Sequence, residues 1–273
     1  MRIKYLGAPL KEGCTITGAD MGMPKLDEVF GLSEVIEVIK KVESSTGLLN
    51  HNTVVDFLWR LKRTYDKYKD NFIVTLGGDH SIAIASVSAH YQSDLGLIWI
   101  DSHGDCNTDV SSITKRIHGM PLSVLQGLGD KDLVGICENS FIKPENIVLF
   151  GISSLDKEEQ KIIQSQKIKV FTHQSIQAMG IKQALKEAIA YLGNKEVYIS
   201  YDLDGIDPVF CKGVNTPVKV GLSVAEALLV LDTLFKELKI IGMDLVEYNP
   251  LNDDGNTLLI IKQFKEIIDH YKG

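Results

Sequence analysis

The sequence predicts an α/β protein, a three-layer α/β/α arrangement around a mainly parallel sheet. Short β-favouring apolar runs alternate along the chain with longer segments of helical periodicity, and that alternation puts helices on both faces of a parallel sheet. Three of the apolar runs also end abruptly in glycine and aspartate, two of them with a histidine as well. Ligands of open α/β sheets bind at the carboxyl ends of the strands, so polar clusters belong there.

The first strand is expected at 3–6, followed by a glycine-bearing connection through Gly13, Gly18 and Gly22 to Pro24 that reads as loop. Helical spacing follows in 29–42 and again in 54–68, where Phe57, Leu58 and Leu61 fall on one face. A strand at 72–76 runs into Gly77-Gly78-Asp79-His80-Ser81, and a helical composition resumes over 82–90. The next strand, 95–100, leads into a long loop to 117 and a helix from Pro121, a residue the first turn of a helix tolerates. Strands at 147–150, 169–171, 197–201 and 240–246 are separated by helical segments near Glu158, at 181–192 and at 224–238, and a last helix covers 258–271. No repeat, low-complexity tract or linker interrupts the rhythm, so one domain over 1–273 is expected.

With 273 residues, 44% of them hydrophobic and 24% charged, the chain has the composition of a globular protein with a large core. A formal charge of -7 without a long basic run argues against nucleic acid as a partner. No apolar stretch reaches the roughly 18 residues of a membrane span and the N-terminus lacks a signal-peptide pattern, so a cytoplasmic protein with no membrane partner is expected. Cys14, Cys106, Cys137 and Cys211 form no Cys-x-x-Cys pair. They read as reduced, packed thiols, with no thiolate zinc site among them.

The chemistry concentrates where strands end. Asp101, His103 and Asp105 stand at alternate positions after an apolar run, with Asn107 next in line, and alternate residues of an extended chain share a face. Asp202 and Asp204 repeat the pattern after the run at 197–201, and His80 ends a third strand. Four carboxylates and two imidazoles are costly to bury together without cations, and they balance two divalent ions. Two such ions about 3.5 Å apart repel by roughly 19 kcal/mol at an effective dielectric near 20, so bridging ligands are required. An oxygen-rich set with two histidines suits manganese better than zinc. A water bridging the pair would ionise near neutral pH, its pKa falling from about 15.7 toward about 7, and would serve as nucleophile.

These segments resemble the ureohydrolases, the family of arginase, agmatinase and formimidoylglutamase, whose signatures match Gly77-Gly78-Asp79-His80-Ser81, Asp101-Ser102-His103-Gly104-Asp105-Cys106-Asn107 and Ser200-Tyr201-Asp202-Leu203-Asp204-Gly205-Ile206-Asp207-Pro208. The resemblance covers most of the chain and implies two Mn2+ ions per chain. It implies that His80 and Asp105 hold one ion, that His103 and Asp204 hold the other, and that Asp101 and Asp202 bridge. It places the proton-shuttling histidine at His118 and the carboxylate facing the guanidino group at Glu247, which with Asp105 make the catalytic set. It also implies a homo-oligomer, trimer or hexamer.

Within the family the spacing resembles arginase, through Asp105-x-Asn107-Thr108 and the ten residues between Asn107 and His118. Asp156 matches the carboxylate near the substrate α-amino group. Thr114 and Arg116 depart from the serine and asparagine that usually contact the α-carboxylate there. The expected substrate is a small guanidino compound, L-arginine first, cleaved to L-ornithine and urea. Agmatine, another guanidino acid or a formimino compound is the alternative, and an inactive metal-binding homologue is the alternative of a different class. A two-metal phosphatase would need cations around the metals, and the motif segments offer only Lys115 and Arg116 nearby.

Overall fold

Strand β1 (Ile3–Ala8) opens the computed structural model, which describes residues 2–43, 46–91 and 94–273. Helix α1 (Met23–Phe30) and the short edge strand β2 (Glu34–Val35) follow, then α2 (His51–Lys67), β3 (Phe72–Gly77) and α3 (Ala83–Ala89). The middle of the chain forms β4 (Gly96–Ile100), α4 (Pro121–Leu125), α5 (Lys131–Ile136), β5 (Ile147–Ile152), α6 (Lys157–Gln166), β6 (Lys169–Thr172) and α7 (His173–Met179). It ends with α8 (Ile181–Leu192), β7 (Glu196–Asp202), α9 (Val224–Glu237), β8 (Lys239–Val246) and α10 (Asn256–Lys272). The strands make a single eight-stranded sheet in the order β2-β1-β3-β8-β7-β4-β5-β6, every pair parallel.

Side-chain alternation divides the core between the two faces. Ile98 and Ile100 point into a cluster with α1 and α7 to α10, while Leu97 and Trp99 point into one with α2 to α6. Each large apolar side chain so buried contributes about 1.5–3 kcal/mol. No described helix is long and apolar enough to cross a membrane.

The seven expected strands are present. The helix expected over 29–42 is not: α1 starts at the end of the stretch read as loop, with Pro24 in its first turn, and reaches only Phe30. It stops at Gly31, whose φ of 66° only glycine adopts freely and whose N–H donates to the Asp27 carbonyl. The β-branched run beyond then extends along β1, where Ile36 N–H donates to Gly7 O at 2.8 Å. The helix from Pro121 is likewise shorter than a continuous one, because Gly127 (φ 79°) and Gly129 (φ 104°) turn the chain between α4 and α5. Helix α7, capped by Thr172, lies outside the expected helical segments.

At the amino-terminal edge of the sheet, His90 packs against Tyr65 and Tyr198, ring centroids 5.0 and 4.9 Å away, in a space open only because Gly242 of β8 has no Cβ. Its Nδ1–H donates to Ser86 O at 2.8 Å. Burial pushes the imidazole pKa down to about 4, outweighing that bond. The unfolded chain therefore takes up a proton near the ordinary value of 6.5 that the folded chain refuses until about pH 4, and stability is lost as pH falls through that window. His90→Asn should flatten the dependence of unfolding free energy on pH between those limits, by on the order of 1–3 kcal/mol across the window. Denaturant melts of both proteins at several pH values check this, and parallel curves would refute it.

Candidate metal centre

The four central strands, β3, β8, β7 and β4, deliver the site residues at their carboxyl ends. After β3 the chain passes so close to its neighbour that a Cβ on Gly78 would lie 2.1 Å from Leu10 O, so only glycine fits. Asp79 then caps a 3-10 turn, its Oδ1 accepting from Ser81 N–H at 3.0 Å, and the turn begins with His80. The motif thus contains both a helix-capping aspartate and a histidine at the cluster. After β4, Asp101 Oδ1 accepts from His103 N–H at 2.6 Å, and after β7, Asp202 Oδ1 accepts from Asp204 N–H at 2.8 Å. Each first aspartate so fixes the turn that presents the next ligand candidate.

These turns bring all six expected ligands together. His80 Nδ1 stands 3.1 Å from each of Asp101 Oδ2, Asp105 Oδ2 and Asp202 Oδ2. His103 Nδ1 lies 3.4 Å from Asp101 Oδ1 and 3.1 Å from Asp204 Oδ2. Two groups able to hold a cation result, His80 with Asp101 and Asp202, and Asp101, His103 and Asp204, sharing Asp101. His80 Nδ1 and Asp204 Oδ1 are buried, yet neither has an aligned hydrogen-bond partner. Three carboxylate oxygens around one such nitrogen fit a divalent cation, which the oxygens attract and the imidazole lone pair ligates.

Electrostatics without a cation point the same way. Burial raises the pKa of Asp202 well above the carboxylate range and that of Asp204 to about 7, with the charge of Asp101 adding to both. Burial opposes protonation of His80, but Asp101, Asp105 and Asp202 outweigh it and raise its pKa well above 6.5. The cluster therefore takes up protons in place of metal, and metal binding must release them.

Three residues beneath the cluster, Ser200, Asp244 and Ser86, have no role assigned from the sequence. His80 Nε2 lies 2.9 Å from Ser200 Oγ, which donates to Asp244 Oδ1 at 2.6 Å, and Ser86 Oγ donates to Asp244 Oδ2 at 2.8 Å. Thr75, Asp244, Ser200 and Trp99 form one row across the sheet by register. Trp99 stacks on the His80 ring at 3.9 Å and donates its Nε1–H to Asp101 Oδ2 at 3.0 Å. The signal available was a lone carboxylate inside the apolar β8.

Around the cluster, the loop from Asp105 folds back on itself: Leu122 N–H donates to Asp105 O at 2.9 Å and Asn107 N–H to Gly119 O at 3.0 Å. This carries His118 to Glu247, with His118 Nδ1 3.5 Å from Glu247 Oε1. Glu247 is further held by His80 N–H at 3.0 Å on Oε1 and by Asn215 Nδ2 at 3.1 Å on Oε2. Asp105 (φ 46°) and Glu247 (φ 67°) both sit in the left-handed region, a strain of about 1–2 kcal/mol each that is common at functional sites. Burial opposes protonation of His118, while contacts with Cys14 and Glu247 outweigh it and raise its pKa.

The remaining candidates lie further out. Asn107 Nδ2 donates to Asp156 Oδ2 at 2.8 Å, and Asp156 Oδ1 caps α6 by accepting from Glu158 and Glu159 N–H. Thr114 is exposed and Arg116 half-buried. Thr114 Oγ1 accepts from Arg116 N–H at 3.4 Å.

The chain matches the model of the family described as "Arginase family" over residues 6–267. It is 38% identical to an arginase of Staphylococcus aureus (strain MSSA476) over 279 aligned positions, covering 93% of this chain and 92% of that one. The solved arginase of Bacillus caldovelox superposes with a TM-score of 0.92 at 34% identity, covering 98% and 97% of the two chains. An Entamoeba histolytica arginase solved in complex with L-ornithine gives a TM-score of 0.90 at 29% identity, covering 98% of each chain.

Ser200→Ala should weaken retention of divalent metal about 10–100-fold, the usual effect of removing the partner that orients a ligating imidazole. Chelator competition on wild type and variant reads this directly, and equal metal affinity would deprive the Ser200–Asp244 pair of an orienting role.

Proposed function

The chain belongs to the arginase family, and from that membership we propose that it hydrolyses L-arginine to L-ornithine and urea at a centre of two manganese ions. The observation that carries this reading is the pair of His/Asp groups sharing Asp101, within reach of Glu247 and His118. His80, Asp101 and Asp202, with Asp105, would hold one ion, and His103 and Asp204 the other, with Asp101 and Asp202 between them. Bound there, the ions supply Lewis acidity and lower the pKa of a water toward about 7.

The chain's own groups do the rest. Glu247, fixed by two hydrogen bonds, is positioned to accept a planar guanidinium through paired charge-assisted bonds. His118, its side chain 16% exposed and beside Glu247, would protonate the amine as it leaves. Asp156 and Asn107 offer acceptors for an α-amino group. The Arg116 guanidinium has no ion pair or side-chain hydrogen bond among the described residues, which leaves it available for a carboxylate; Thr114 stands beside it. In this reading the enzyme is one domain, cytoplasmic, and a trimer or hexamer, the last resting on family resemblance alone.

His118→Ala is expected to lower turnover by about a hundredfold or more while both metals stay bound, the usual contribution of a general acid. Unchanged turnover in the metal-loaded variant would make His118 structural.

The substrate assignment is tested by comparing kcat/KM for arginine, agmatine and 4-guanidinobutyrate in wild type and Arg116→Ala. Loss of Arg116 should weaken the two acids about tenfold or more and spare agmatine, because a charge-assisted bidentate contact contributes roughly 1.5–3 kcal/mol. A wild type that prefers agmatine would move agmatinase to first place.

A further inference from the structure

We propose that Cys14, His118 and Glu247 form a second metal site, selective for a soft divalent ion such as zinc or cadmium, whose occupation arrests the hydrolase. One ligand atom from each of the three lies within 4.8 Å of the others. Zinc bonds of about 2.0–2.3 Å place tetrahedral ligand atoms about 3.3–3.8 Å apart, and the 3.5 Å between His118 Nδ1 and Glu247 Oε1 falls in that range. A fourth position is left for water.

The site is built rather than incidental. Asp79 Oδ2 accepts from both Gly13 N–H, at 2.8 Å, and Cys14 N–H, at 3.0 Å, and His118 N–H donates to Gly13 O at 3.3 Å. Gly13 packs so tightly here that a Cβ would lie 2.4 Å from Ser81 Oγ. Cys14 is wholly buried and Glu247 is 1% exposed, so an ion enters past His118. Among the described residues no other cysteine belongs to such a group; Cys106 and Cys137 donate to the Glu159 and Val124 carbonyls. Because the three ligands stand at positions 14, 118 and 247, no local motif marks a thiolate site.

Ligand type separates this site from the binuclear one. The latter offers carboxylate oxygens and imidazoles, which suit manganese, whereas a thiolate with imidazole and carboxylate selects softer ions. On binding, the Cys14 S–H bond breaks and a sulfur–metal bond forms, the proton on His118 Nδ1 is released so that its lone pair can ligate, and both protons leave to solvent, with no change of oxidation state. The thiolate and Glu247 together neutralise the incoming dication. Arrest of turnover rests on the roles given above to Glu247 and His118, because the ion occupies both groups; binding itself does not.

The test is titration of the manganese-loaded full chain with cadmium, following sulfur-to-cadmium charge-transfer absorption and urea release together. The expected result is one absorbing cadmium per chain and loss of activity in step with it. In Cys14→Ser the band should vanish and the inhibitory concentration, referred to that variant's own uninhibited rate, should rise tenfold or more. Cysteine-independent displacement of manganese would inhibit wild type and variant alike without the band, and that result overturns the proposal. A band that saturates at one cadmium and is lost in Cys14→Ser, but with full activity retained, would keep the site and refute the catalytic roles of His118 and Glu247.

Discussion

Like charges confined at the ends of four adjacent strands set the terms for this molecule. Asp101, Asp105 and Asp202 each place an oxygen 3.1 Å from the same imidazole nitrogen, and Asp204 joins through His103. Burial disfavours their charge and mutual repulsion adds to the cost, so Asp105, Asp202 and Asp204 all hold protons more tightly than free carboxylates do. Asp101 alone goes the other way: burial opposes it, but His103 and His80 draw its pKa below the usual range. The carboxylate shared by both groups is thus the one most ready to serve a cation, and cations offset the repulsion and burial that raise the other three.

Holding such a cluster requires a scaffold that cannot relax away from it. The parallel register aligns Thr75, Asp244, Ser200 and Trp99 in one row under His80, so the imidazole is fixed by a hydrogen bond at one edge and by the indole on its face. Central strands in a two-faced core have little freedom to shift, because any movement opens cavities on both sides. That rigidity also maintains the left-handed backbone at Asp105 and Glu247, which isolated residues of these types would leave.

Much of this was legible in the sequence, for a physical reason. Period-two alternation puts Asp101, His103 and Asp105 on one side of an extended chain, and apolar runs mark buried strands, so residues that follow those runs fall at one sheet edge. Signals that depend on distant partners were not legible. The helix expected over 29–42 failed because its apolar spacing suits either an edge strand or a helix, and the deciding features were Gly31 and the open edge of β1. Ser200 stands in a signature and Asp244 inside an apolar run, but what they do arises from register, which no local pattern shows. Cys14 meets His118 only through the fold-back of the 105–120 loop.

Asp79 shows how one residue can serve two ends of the same design. It caps the 3-10 turn, its Oδ1 accepting from Ser81 N–H and fixing the turn that starts with His80. Its Oδ2 accepts from Gly13 and Cys14 N–H, tying the loop after β1 to that same turn. Burial raises its pKa to about 6, with the charge of Glu247 adding to the shift, so the bonds it accepts are strongest when it is ionised at higher pH. Because one carboxylate fixes both turns, the placement of Cys14 cannot vary independently of His80. The soft thiol and the oxygen-rich cluster are therefore two parts of one hydrogen-bonded unit, set apart by ligand chemistry rather than by distance.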